Sequence, residues 1–183
     1  MVWLMSLVFS GTVGLAPAMT PVAASPLHPA ALLPAEQLLA SNARRIRSAQ
    51  PRLTQLLHEG VRRSRTFADL VSRVHRTDLI VYIETSYELG GDTVGRILLQ
   101  TVAGGQRYVR VQVRPTLYGD QIIAVIGHEL RHALEVAEDT TVVDDATLAK
   151  LYRRIGRASD GRKGFETEAA RTTGLRVRDE LIG

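Results

Sequence analysis

The 183-residue chain has no cysteine. No disulfide can staple it, so its stability has to come from a hydrophobic core or from a bound metal. It is almost without lysine: Lys150 and Lys163 are the only two, and arginine carries nearly all of the basic charge behind a net +4. Aromatic residues make up 5% of the chain, and the basic residues are scattered rather than clustered with them. That dispersal argues against a nucleic-acid partner. There is no internal repeat. The apolar run at residues 2–16 is short for a membrane span, which needs about 20 residues.

The first two dozen residues differ from the rest. The apolar run is broken by Pro17, and Val22-Ala23-Ala24 fits the small-x-small rule for cleavage. Residues 1–24 are therefore expected to be a signal peptide, although no Lys or Arg precedes the apolar run. An uncleaved anchor is the alternative. Cleavage implies a secreted or periplasmic protein with no stable membrane association. Residues 25–33 are rich in Pro and Ala and read as a flexible leader. Residues 34–183 then form a single domain, long enough to bury a core without disulfides.

Helical spacing runs through 34–49, with Leu38, Leu39 and Ile46 apolar. Pro51 suits the first turn of a second helix, and Thr66 suits the cap of a third, whose buried stripe is Phe67, Leu70, Val71 and Val74. Arg62, Arg63 and Arg65 between them read as a solvated charge run. The pattern then changes. Residues 79–84, 93–102 and 108–113 read as strands, joined by turns at Gly90-Gly91 and Gly104-Gly105. In the last, Val109, Val111 and Val113 alternate with Arg110, Gln112 and Arg114. The expected class is α+β: N-terminal helices, a three-stranded antiparallel sheet, one long helix at 120–135 and C-terminal helices at about 145–155 and 165–181.

The long helix carries His128-Glu129-Leu130-Arg131-His132. Histidines four apart share a helical face, so one imidazole nitrogen from each can approach a single ion. Glu129 lies beside that ion, where it can hold a water and take its proton. Two neutral nitrogen ligands, a carboxylate base and an open position make the arrangement of a catalytic zinc site. Gly127 leaves room beside the first ligand.

This helix resembles the active-site helix of the zinc metallopeptidases called zincins, and among them the gluzincins. The motif covers about a tenth of the chain. Arg131 departs from the usual uncharged residue. The resemblance implies a small zincin-like fold, a Zn2+ cofactor and a peptide or protein substrate. It also implies an edge strand that receives that substrate by strand addition. In this family the third ligand is a glutamate from a later helix, in a Glu-x-x-x-Asp setting. Matched to Phe165-Glu166-Thr167-Glu168-Ala169-Ala170, the ligand is Glu166, with Glu168 in reserve. Ala170 stands where the family has the aspartate that supports a ligand histidine, so that support is absent or comes from Asp139, Asp144 or Asp145. Glu135 spreads too far along the helix to be a ligand: seven residues at 1.5 Å span about 10 Å. It is expected to pair with Arg131 or to orient a ligand histidine.

The resulting expectation is a zinc-dependent peptidase-like hydrolase with His128, His132 and Glu166 on the metal and Glu129 as general base. Candidate oxyanion donors are Tyr108, Tyr118, Tyr152 and His75. The competing expectation is a non-catalytic zinc-binding or interaction domain that keeps the frame.

Overall fold

The structure, a computed structural model, describes residues 45–158 and 165–183. The expected signal peptide, the leader and most of the helix expected at 34–49 lie outside the described residues. The elements in chain order are β1 (Ile46–Arg47), α1 (Pro51–Arg63), α2 (Arg65–Val74), β2 (Leu79–Thr85), β3 (Gly95–Ala103) and β4 (Gln106–Val113). They continue with α3 (Gly119–Glu138), α4 (Asp145–Ile155), β5 (Arg157–Ala158), β6 (Phe165–Glu166) and α5 (Glu168–Ile182). The class is α+β.

The sheet is not the three-stranded antiparallel one that the spacing predicts. Four strands lie in the order β1-β2-β4-β3. β2 runs parallel to both β1 and β4, and only β3 and β4 are antiparallel. The physical reason is visible in β2. Leu79, Ile80, Val81 and Ile83 are all buried, and a near-continuous apolar run suits a central, parallel strand. β3 is largely exposed and takes the edge. The chain crosses from β2 to β3, then returns through Gly104-Gly105 into β4. Both glycines have positive φ, 57° and 70°, as a tight hairpin turn demands. Ile46–Arg47 is likewise a short edge strand rather than part of a helix.

α3 packs against β2, β3 and β4, and also against α1, α2 and α5. Its apolar side, Ile122, Ile123, Ile126 and Leu130, is fully buried with Phe67, Leu53 and Val111 in one core. Among the described residues no helix is long and apolar enough to cross a membrane.

Three polar clamps hold this packing. Arg107, 3% exposed, donates to Asp78 through Nε and Nη2 at 2.7 and 2.8 Å. It also donates to the carbonyls of Val136, Ala137, Asp139 and Val142. It thereby satisfies carbonyls at the end of α3 that have no partner within the helix. Arg63, expected to be merely solvated, pairs with Asp120 at 2.7 Å and donates to the Leu181 carbonyl. Glu180 accepts from Ser64 Oγ at 2.5 Å and Thr66 Oγ1 at 2.6 Å. That contact moves the cap of α2: Ser64, not Thr66, accepts from Phe67 N–H at 3.0 Å.

Candidate metal centre

His128 and His132 lie on the side of α3 away from its apolar stripe, and Glu129 lies on the flank between them and that stripe. Gln121 accepts from the Tyr118 N–H at the start of α3, and the Arg107 clamp closes its end. Across from these histidines stands Glu166. It lies on the two-residue strand β6, not on the last helix, because Thr167 caps that helix by accepting from Ala170 N–H at 3.1 Å. Extended backbone ahead of the cap carries the Glu166 side chain to the histidines.

Glu166 Oε1 is 3.5 Å from His128 Nε2 and 3.9 Å from His132 Nε2. The three donor atoms lie within 4.8 Å of one another. Zinc bonds of about 2 Å in a tetrahedron put neighbouring donors a little over 3 Å apart, so the set is slightly wide but of the right kind. Glu166 Oε1 is also buried without any hydrogen-bond partner. A buried, unpartnered carboxylate oxygen is costly, and an ion on that oxygen would remove the cost. The three residues therefore fit a metal ion.

Support comes from Glu135. Its Oε2 is 2.8 Å from His132 Nδ1, and its Oε1 accepts from Thr167 Oγ1 at 2.8 Å. Arg131 Nε stands 3.9 Å from the same Oε1. Both roles expected for Glu135 are thus combined in one side chain. Ala170 is fully buried, and none of the three aspartates replaces the missing one at the site. Asp139 binds Thr141 and Arg154, Asp144 caps α4, and Asp145 sits on the rim of the cleft. Glu168 is exposed and paired with Arg171 at 2.5 Å, away from the histidines.

Burial governs the protonation of the site. It raises the Glu129 carboxyl from its ordinary 4.5 to about 7. Burial, with the charge of His132, lowers His128 from 6.5 to about 4. His132 goes the other way: burial alone would lower it, but the bond to Glu135 and the charges of Glu129, Glu135 and Glu166 hold it above its usual value. A neutral His128 keeps one ring nitrogen free for an ion, whereas the surrounding carboxylates favour the protonated His132, so an ion binding at its Nε2 would displace a proton there.

The site opens into a cleft of about 750 Å³. One wall is β3 with the segment before it, and Arg114 fixes that segment by donating to the carbonyls of Leu89 and Gly91. The other wall is α5, including Arg171, Gly174 and Leu175, and α4 adds Leu148 and Tyr152. Tyr152 is the one expected oxyanion candidate that lines the cleft. Its ring meets His132 edge-on at 5.3 Å, and its hydroxyl faces the His132 carbonyl at 3.4 Å. Tyr108, Tyr118 and His75 lie elsewhere. Arg110 faces Glu84 at 3.6 Å on the sheet.

Two glycines and a threonine were not legible as site residues. Gly174 also lies beside the first histidine: a Cβ on Gly174 would be 3.1 Å from His128 Cβ, and one on Gly127 would be 3.0 Å from Val177 Cγ2, so both glycines let α5 approach α3 closely. Gly95 adjoins Glu129. Thr167 carried a signal that could have been read, a hydroxyl residue directly before an acidic first helical residue.

No family model, curated protein or solved structure matches the chain. The resemblance to zincins rests on the constellation itself.

Proposed function

We propose that this chain is an extracytoplasmic zinc-dependent peptidase. The observation that carries the reading is the convergence of His128 Nε2 and His132 Nε2 on a buried, unpartnered Glu166 oxygen, next to a buried Glu129. A zinc ion held by His128, His132 and Glu166 would supply Lewis acidity towards water and towards a substrate carbonyl. Glu129 orients the attacking water, accepts its proton and hands it to the departing amine. A buried carboxylate beside the ion is placed to serve both halves of that transfer. β3 offers a strand edge beside the cleft, where an extended peptide can pair through its backbone. Export rests on the pattern of residues 1–24.

The rival reading is a zinc-binding domain without turnover, which the alanine at position 170 favours. One series of measurements separates them. Metal content is measured for the purified chain and for a His128→Ala/His132→Ala double variant. About one zinc per chain in the first and none in the second is expected. A peptide library is then cleaved by the wild type and not by Glu129→Gln, which retains its zinc. Cleavage that persists in Glu129→Gln, or wild-type protein that refuses zinc, ends the peptidase reading. Zinc without any cleavage leaves the rival.

A further inference from the structure

We infer that Thr167 is a positioning residue of the metal centre, acting through Glu135 on His132 while it anchors the adjacent ligand Glu166. The inference rests on the metal-centre reading above and assigns a role to a residue that touches neither metal nor substrate.

The geometry leaves each group little choice. Glu135 is 5% exposed, and its oxygens are divided: Oε2 to His132 Nδ1, Oε1 to Thr167 Oγ1, each at 2.8 Å. Thr167 is 4% exposed. A threonine hydroxyl has one proton to give; here it goes to Glu135, while the oxygen accepts from Ala170 N–H at 3.1 Å. The hydroxyl is therefore engaged both as donor and as acceptor. One peptide unit before it stands Glu166.

Two consequences follow. Glu135 cannot rotate to serve Arg131 alone without losing Thr167, so His132 Nδ1 keeps its partner and Nε2 keeps its aim. The start of α5 is also bolted to the metal helix α3 at the level of the second histidine. The second and third ligands are aligned by a single shared carboxylate. The carboxylate that the family carries after its third ligand is replaced here by one on the metal helix, and Thr167 is what links that carboxylate back to the third ligand.

The test compares the full chain with Thr167→Ser, Thr167→Val, Glu135→Ala and the Glu135→Ala/Thr167→Val double variant. Zinc Kd is measured by competition with a chromophoric chelator, and the visible absorption of the cobalt-substituted protein reports ligand geometry. Thermal melting of the metal-free forms reports the cap. Thr167→Ser should bind zinc within about threefold of wild type, whereas Thr167→Val should bind about tenfold or more weakly, as for other outer partners of metal ligands. Its cobalt spectrum should shift. In the Glu135→Ala background Thr167→Val should weaken zinc binding no further, although it still lowers the melting temperature of the metal-free protein through the lost cap. Thr167→Gly caps a helix nearly as well and replaces Thr167→Val if that variant does not fold.

Zinc binding by Thr167→Val as tight as wild type, or equal losses from Thr167→Val in both backgrounds, overturns the inference and leaves the metal centre standing. Wild-type protein that takes up no zinc overturns both.

Discussion

Gly95 and Glu129 are in contact: a Cβ at residue 95 would stand 2.6 Å from Glu129 Oε1 and 2.6 Å from Val125 Cγ1. Gly95 is paired with Val113 at the head of β3, so its backbone cannot simply retreat. Gly95→Ala should destabilise the fold by about 1–3 kcal/mol, the usual cost of overpacking, measured by urea unfolding. Zinc uptake should persist because no ligand is touched, while peptide cleavage falls with the displaced carboxylate. A Gly95→Ala protein as stable as wild type would show that the contact is loose.

The raised pKa of Glu129 makes a prediction about the metal-free protein. Its folded value, about 7, lies above the ordinary 4.5. Folding therefore favours the protonated form. The stability tied to this group is complete below about pH 4.5 and declines as the pH rises towards 7, by about 3 kcal/mol in all. Glu129→Gln should abolish that decline. Chelator-treated wild type and variant, melted across pH 4.5 to 7.5, should diverge steadily in favour of the variant. Parallel profiles would refute it.

Glu166 and Glu168 are two residues apart and should behave quite differently. Glu166→Gln removes a charged donor from the cluster with the histidines and should weaken zinc binding at least tenfold in the same chelator competition. Glu168→Gln weakens only exposed contacts, those with Arg171 and Thr172. Exposed pairs of this sort contribute about 0–1 kcal/mol, and zinc Kd should not move. The reverse pattern would reassign the third ligand.

Arg107→Ala removes the guanidinium that tops up the Val136 and Asp139 carbonyls, which keep backbone donors, and that serves Ala137, and it leaves Asp78 without its partner. It should cost about 3 kcal/mol in urea unfolding. The same pair makes the fold sensitive to acid. The hydrogen bond from Arg107 holds Asp78 below its ordinary 3.8. That stabilisation is present above about pH 4 and is lost as the pH falls through the lower, folded value. Arg107→Ala should therefore flatten the acid limb of the stability profile.

How much could be read beforehand follows from the range of each interaction. The alternation of Val109, Val111 and Val113, the four-residue spacing of His128 and His132 and the glycine turn at 104–105 are local patterns, and each stands where it was expected. The partner of β2 depends on residues some thirty positions away, Leu79 against Arg107, and no local pattern names it. The match to a ligand pattern singles out Glu166 but puts it on a helix: an acidic, alanine-rich stretch looks helical until the Thr167 cap sets where the helix begins. The packing of Gly174 on His128 and of Gly95 on Glu129 exists only once α5 and β3 have been laid beside α3. Glu135 was legible, since a residue three positions beyond His132 shares its face; its second partner, Thr167, was not.

The outer side of β3 bears a row of backbone donors and acceptors that no strand among the described residues takes up. Such a row pairs with any extended chain that arrives. A second molecule brings an identical row, so if β3 seats a peptide substrate as proposed, copies in concentrated solution should compete with it for one seat. Specific activity that falls as the protein is concentrated, and returns on dilution, would be the signature of that competition. On the peptidase reading, the open edge that would admit a substrate would also set a ceiling on how densely the protein can work.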